Sequence, residues 1–366
     1  MCADVKGLAL VALGCALVAQ PAGAQTTVNP DISAIPRFLL RTDDGARLNE
    51  GIRRLSQPDF SFQELEITIQ SYLNPFAKAD VVMTVPGPDI ESARLGIEEL
   101  YASVVRGLPL DLNIRFGKYR AEFGKLNMMH PHAWPFVSQP IVAERFLGED
   151  GLNDLGISAS LLLPTGDVYS RFTIDLLRGN AIAGGAGMPD TSGRRPFYAT
   201  SARLMGFFSL NDESDLEAGI SGYTGIHDPY ARHRFWYCDV DVKYKYRANA
   251  YTSLTVQGEA LLNSRRVGPA EGRRVTSAGM YLFTEYQFLK RYTAGARFDW
   301  SQAPYSVDDR GHGISLFGGF YPVEETLGLR LEYQLTTIQS TGVSRTVNAI
   351  MLQALFSLGP HKAHPF

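Results

Sequence analysis

Apolar and polar residues alternate with a period of two through most of this chain. Between 62 and 73, Leu65, Ile67 and Ile69 alternate with Glu64, Glu66, Thr68 and Gln70, a strand with one apolar and one polar face. Between 234 and 246, Trp236, Cys238, Val240, Val242, Tyr244 and Tyr246 share one face, and Asp239, Asp241, Lys243 and Lys245 share the other. The same alternation runs through Leu254–Leu262, Ala294–Trp300 and Leu327–Leu335. No segment carries the period of an amphipathic helix. A run of charges along one strand face cannot fill the core of a soluble sandwich. It suits a strand that lines water on one side and meets lipid on the other. Tyr72, Tyr101, Tyr198, Tyr223, Trp236, Tyr246, Tyr251, Tyr286, Tyr292, Trp300, Tyr321 and Tyr333 sit mostly at or near strand ends, where interfacial aromatic girdles are expected.

Connection lengths carry an independent signal, because outer-membrane barrels have short periplasmic turns and longer external loops. Short connections are expected near 74–75, 107–109, 165–167, 211–213, 247–250, 289–291 and 323–325. Longer ones are expected near 42–59, 86–92, 127–155, 178–196, 225–233, 263–274, 302–311 and 337–346. Their alternation sets parity. With the last strand near 347–358 descending, an ascending strand must precede the one at 60–72, and only 31–41 can supply it. Pro36 cannot donate to a ladder and makes this the weakest strand. The expected fold is all-β, an antiparallel transmembrane β-barrel of about 16 strands, each of about 9 to 11 residues. Its lumen is too wide for wall side chains alone to fill.

A net charge of -3 gives no field that would recruit nucleic acid. Lys6, the apolar run 7–19 and the Ala-Gly-Ala at 22–24 read as a signal peptide, 1–24, cleaved after Ala24 to leave 25–366 as the barrel. The expected destination is the outer membrane of a Gram-negative bacterium. Cys2 and Cys15 fall in the signal, so Cys238 is left without a disulfide partner or a cysteine metal site. Beyond the signal no apolar run reaches the length of about 18 residues that a membrane-spanning helix needs.

By face, the lumen side carries Glu64, Glu66, Asp80, Asp175, Asp215, Glu217, Asp239, Asp241, Glu259, Glu285, Asp299 and Glu332. Against these stand Lys78, Arg115, Arg171, Arg203, Lys243, Lys245, Arg297 and Arg330. Opposite charges on neighbouring strands are expected to pair across the wall and stiffen it. The longest connection, 127–155, exceeds what a turn needs and is too apolar to float outside, so it is expected to fold into the lumen as a constriction or cap. Its candidate residues are His130, His132, Trp134, Glu144, Arg145, Glu149, Asp150 and Asp154. His130 and His132 lack a third ligand, and Glu149, Asp150, Asn153 and Asp154 do not fit a calcium-loop spacing, so no metal and no cofactor are expected. All 7 histidines fall in loops or the tail, and none shares a strand face with a candidate serine. No catalytic constellation forms, and an enzyme is not expected.

The run FGKYRAEFGKLN, Phe116–Asn127, resembles the G-K-x-x-x-x-F-G motif of the phosphate-selective porin O and P family, where it leads into a long third loop. NPDIS at 29–33, QSYLNPFAKADV at 70–81 and ERFLGEDGLNDLG at 144–156 look like segments of Gram-negative porin-like proteins. A terminal Phe366 after the final strand looks like the signal read by barrel-assembly machinery. The resemblance implies a porin, often a homotrimer, with anion-binding arginines and lysines along its lumen, set in outer-membrane lipid and lipopolysaccharide. A filter that dehydrates phosphate needs a local excess of donors, and the mixed lumen does not supply one by count. The expected function is a channel for passive diffusion of small hydrophilic solutes or ions. The alternatives are a non-conducting structural or adhesin-type barrel plugged by its own loop, and a secreted all-β enzyme. Arg265, Arg266, Arg273 and Arg274 in one outer loop suit contact with lipopolysaccharide phosphates.

Overall fold

The structure, a computed structural model, describes residues 30–45, 57–88, 94–180, 199–228, 232–268, 272–323, 326–340 and 342–360. The signal segment 1–24, most of the connection 178–196 and the terminal Phe366 lie outside the described residues. The strands are β1 Asp31–Asp43, β2 Asp59–Asn74, β3 Ala77–Pro86, β4 Gly96–Val104, β5 Asn113–Arg120, β6 Asn153–Leu163, β7 Tyr169–Leu177 and β8 Ala199–Asn211. They continue with β9 Ser214–Asp228, β10 His233–Asn249, β11 Thr252–Val267, β12 Arg273–Phe288, β13 Tyr292–Ala303, β14 Ser306–Val323, β15 Leu327–Ser340 and β16 Val343–Phe356. Each pairs antiparallel with its sequence neighbours, and β1 pairs with β16 from Arg37↔Leu355 to Asp43↔Ala349. The result is a closed antiparallel barrel of 16 strands. Pro36 is tolerated because the β1–β16 ladder begins only at Arg37, so the missing N–H interrupts nothing on that side.

Closure follows from the sequence pattern. Val240, Val242, Leu262, Leu282, Phe298, Leu316, Leu331 and Leu352 are all exposed on the outer surface. An apolar band running round the whole wall is unfavourable in water and stable against hydrocarbon. Trp236, Tyr286, Tyr292 and Tyr333 stand outward with this band. Tyr101 and Tyr223 do not join a girdle: both are buried and point into the lumen.

The strands are longer than the alternation indicates, reaching 17 residues in β10 and 18 in β14. The connections expected near 302–311 and 337–346 shrink accordingly: β14 resumes at Ser306 after β13 ends at Ala303, and β16 at Val343 after β15 ends at Ser340. The physical reason is that these strands run on past the apolar band. There both faces are polar, so the alternation fades while the ladder hydrogen bonds persist. The wall is lowest at β4, β5 and β7, of 9, 8 and 9 residues, and the long inserted segment leaves from this side.

Candidate functional site

Residues 121–152 leave β5, cross the lumen and return to β6. The segment therefore begins before the expected 127 and ends before 155, and Asn153 and Asp154 belong to β6. It enters the barrel because it is too apolar to remain outside. Phe123, Leu126, Trp134, Phe136, Val142, Phe146 and Leu152 are buried in one cluster with Tyr223, Tyr237, Tyr281, Phe283 and Phe317 of the wall. Phe136 meets Phe283 and Phe317 edge-on at 5.4 and 5.7 Å between centroids, and the Arg297 guanidinium lies 4.2 Å from its ring centre. Within the segment a short helix, α1 Ile141–Leu147, starts after Pro140 and ends at Gly148; it buries Ile141, Val142, Ala143, Phe146 and Leu147.

The two glycines of the Gly-Lys…Phe-Gly motif have structural causes. Gly117 has φ +132° and lies so close to β4 that a Cβ would collide with Leu100 O. Gly124 has φ +62°, and a Cβ would sit 2.7 Å from Glu259 Oε2. Their bare backbones let β5 close on β4 and let the segment turn down onto the far wall.

Polar anchors surround this apolar centre. Lys125 Nζ donates to Glu217 Oε2 at 2.7 Å. The N–H groups of Lys125 and Leu126 both donate to Glu259 Oε1. Val137 N and Ser138 N donate to Glu332 Oε2 at 2.6 and 2.9 Å. Arg297 donates to Ser138 O and Oγ at 2.7 and 2.8 Å, and Ile141 N donates to Asp299 Oδ1 at 3.2 Å. Arg330 Nη2 donates to His132 O at 2.6 Å. Arg145 Nη2 reaches Asp309 at 3.0 Å. These contacts satisfy peptide groups that insertion has removed from water.

His130 and His132 both turn Nδ1 toward Glu66 Oε2, at 3.2 and 3.0 Å, with their rings stacked at 5.8 Å. Burial lowers His130, but the Glu66 carboxylate beside it outweighs burial and lifts the imidazolium to about 9. Burial pulls His132 below its ordinary value, Glu66 opposing and the charge on His130 adding to the fall. Glu98 Oε1 lies 3.7 Å from His130 Nδ1, and Arg120 Nη2 already holds that oxygen at 2.5 Å. The two histidines thus tie the segment to β2. Trp134 is buried beside Phe136 and donates Nε1–H to Met129 O at 3.2 Å. Glu144, Glu149 and Asp150 are exposed. Asp154 accepts from Gly179 N and Asn180 N at 2.6 and 2.8 Å, fixing the start of the next connection rather than joining the constriction.

Each of the wall charges assigned to the lumen faces inward, but they divide into two populations. Glu66, Asp80, Asp175, Asp215, Glu217, Asp239, Asp241, Glu259, Asp299 and Glu332 are buried, as are Arg203, Arg297 and Arg330. Lys78, Arg115, Arg171, Lys243 and Lys245 remain half-buried; of the acids only Glu64 and Glu285 do. Pairing differs from the neighbouring-strand expectation. Arg37 and Glu64, opposite each other on β1 and β2, do pair at 2.9 Å. Arg203 on β8, however, reaches over β9 to Asp241 on β10, Nη2 to Oδ1 at 2.9 Å. Arg297–Asp299 at 2.7 Å and Lys78–Asp80 at 3.3 Å are pairs two residues apart on one strand, where side chains share a face.

Space remains on both sides of the segment. At the short-turn end a cavity of about 380 Å³ is lined by Lys243, Lys245, Glu285, Lys290, Arg330 and His132. A second, of about 260 Å³, is lined by Lys78, Arg115, Arg171 and Glu122. At the opposite end a cavity of about 610 Å³ is lined by Lys118, Glu149, Asp150, Asp154 and Arg178. Sequence reading missed Glu98 and Arg120, which meet across the neighbouring strands β4 and β5, and Glu122, Lys125 and Ser138, whose partners lie on strands distant in the chain. The one available signal was the run Phe116–Asn127 around the motif, which contains Arg120, Glu122 and Lys125.

Over 90% of its length the chain superposes on the anion-selective porin of Comamonas acidovorans, with a TM-score of 0.60, 8% identity and 99% of that chain covered. The outer-membrane channel DcaP of Acinetobacter baumannii matches 92% of the chain and 99% of its own, with a TM-score of 0.60 at 10% identity. The fold is that of the outer-membrane porins. OprB of Pseudomonas putida matches 90% of the chain and 94% of its own, with a TM-score of 0.57 at 9% identity. In sequence the chain is 26% identical, over 84% of its length and 70% of the other's, to an uncharacterized protein of Aquifex aeolicus (strain VF5). No protein-family model matches the chain, so the resemblance to the phosphate-selective porins rests on the motif.

Proposed function

We propose that this porin-fold chain is an outer-membrane channel for passive diffusion of small hydrophilic solutes and ions, narrowed by residues 121–152 and favouring anions. The observation that carries the preference is the division of lumen charges. Most of the buried acids hold the segment or meet an arginine, while Lys78, Arg115, Arg171, Lys243 and Lys245 are only half-buried and line the two cavities at the short-turn end, Lys78 beside Asp80 and Arg171 beside Glu122. A whole-lumen count of acids and bases therefore misjudges the field an ion meets, because a charge already paired and buried contributes little to it. The reading includes export by a signal cleaved after Ala24 and assembly as a homotrimer, checked by N-terminal sequencing and by the mass of the detergent-solubilised protein.

Single-channel recording in a planar bilayer under a KCl gradient tests the reading. Stable conductance with a reversal potential on the chloride side is expected, and a cation-selective reversal overturns the anion preference. Folded barrel without conductance favours the second reading, a plugged structural barrel. That reading draws on the complete burial of Phe136, Val142 and Phe146.

A further inference from the structure

Three arginines stand in one row on the outward face of the wall, at the long-connection end. Arg266 of β11 is registered opposite Arg274 of β12. The β10–β11 ladder pairs Trp236 with Ser264 and ends at Phe235 opposite Arg265, so Arg234 is the next residue beyond its last pair, on the Trp236 face of β10. All three are exposed and share the outward face with Trp236, Leu262 and Met280. Like charges directly opposite on adjacent strands repel, so such a row calls for a counter-charge. Arg232, His233, Arg234, Ser264, Arg265, Arg266 and Arg274 border a cavity of about 360 Å³, and among the described residues no carboxylate lines it. Arg234, Arg266 and Arg274 make no ion pair among the described residues.

The neighbouring arginines do not belong to the row. Arg265 points into the lumen, buried, and donates to Tyr237 Oη and to Asn263 Oδ1. Arg273 lies opposite Val267 on the other face of β12. The row also has a defined height. Arg234 stands one side-chain step, about 7 Å along the strand, beyond Trp236 at the edge of the apolar band. That is the level of lipid headgroups.

We propose that Arg234, Arg266 and Arg274 bind the phosphate groups of an outer-leaflet lipid headgroup, approached from the lipid side of the barrel. Guanidinium forks take phosphate oxygens two at a time, and strands about 4.8 Å apart space the three forks to span a headgroup bearing more than one phosphate. The acyl chains of that lipid would lie on Trp236, Leu262 and Met280 below. A free phosphate gains nothing from this apolar footing, which is why the lipid is favoured as its source. The inference rests on the outer-membrane reading above but not on conduction.

The test uses the chain refolded in detergent and titrated with purified lipopolysaccharide, with the same lipid enzymatically dephosphorylated, and with inorganic phosphate as competitor. Binding is read by native mass spectrometry. R234Q/R266Q/R274Q is expected to weaken binding of the phosphorylated lipid by about fivefold for each arginine removed, and R273Q to leave it unchanged. Dephosphorylated lipid should not bind at the site. Equal binding by wild type and the triple variant, or retention of the dephosphorylated lipid, overturns the proposal. Displacement by dilute inorganic phosphate overturns the lipid as occupant and leaves a free-anion site. If the triple variant does not fold, as judged by heat-modifiable gel mobility, R266Q alone removes the centre of the row and gives the same reading. Bilayer conductance of the triple variant should equal that of wild type. Loss of lipid binding with conductance retained separates this inference from the channel reading.

Discussion

Ser138 meets Glu332 twice, its N–H donating to Oε2 at 2.9 Å and its hydroxyl to Oε1 at 2.5 Å. Val137 N adds a third bond to the same carboxylate at 2.6 Å, and Arg297 Nη2 stands 3.6 Å from it. One wall acid thereby holds the middle of the inserted segment. E332A removes these acceptors and leaves Arg297 with Asp299 as its carboxylate partner. Breaking one member of a buried charged set costs about 3–5 kcal/mol, while the remaining wall ladder keeps the barrel closed. Single-channel conductance and its noise are expected to rise as the segment loosens. Conductance equal to wild type removes Glu332 from the constriction.

Lys243 and Lys245 lie on the inward face of β10 and line the cavity at the short-turn end. K243Q/K245Q shortens each side chain by one atom and removes two basic groups from the cavity. The chloride-to-potassium permeability ratio is expected to fall by about twofold, more at low salt than at high, because exposed charges are screened. R203Q is the contrast: Arg203 is buried against Asp241, so it should lower stability while leaving selectivity nearly unchanged.

His130 gives the docked segment a pH dependence of known sign. Its value is raised, to about 9 in the folded protein against an ordinary 6.5, by the Glu66 carboxylate. A raised value means that the stabilisation is complete below the ordinary value and is lost as pH rises through about 9. Thermal unfolding of wild type should therefore fall between neutral pH and about pH 10, by an amount on the order of 2 kcal/mol. H130Q should flatten that decline. A variant profile that tracks wild type assigns the decline to other groups.

Gly124 and Gly166 separate backbone strain from contact. Both have positive φ, +62° and +69°, but a Cβ at Gly124 meets Glu259 Oε2 at 2.7 Å while one at Gly166 meets nothing within 4 Å. G166A carries only the left-handed backbone cost of about 1 kcal/mol, and G124A adds displacement of the Glu259 anchor, about 1–3 kcal/mol more. Comparing the two melting temperatures isolates the anchor. Equal shifts would mean that the turn, rather than the acid beneath it, is what matters at Gly124.

The period-two alternation determined the strands and their apolar faces, which are local properties of the chain, and strands that meet hydrocarbon can leave no unpaired edge, so the sheet closes by pairing β1 with β16. The same alternation puts Glu64 through Glu332 on the polar face of their strands, since neighbouring side chains on a strand must point to opposite sides. It also singled out the long connection after β5, whose length and apolar content have no place outside. What the alternation could not reach was everything that depends on which strands face each other across the lumen. The reach of Arg203 to Asp241 over β9, the meeting of Lys125 with Glu217 and that of Ser138 with Glu332 join residues 38, 92 and 194 positions apart. Such pairs are set by barrel curvature and by the path of the inserted segment, not by spacing along the chain. The functional consequence lies at this tertiary level. Whether a wall acid or base is desolvated beneath the segment or half-buried beside a cavity is decided by that path, and a residue count along the chain does not contain it.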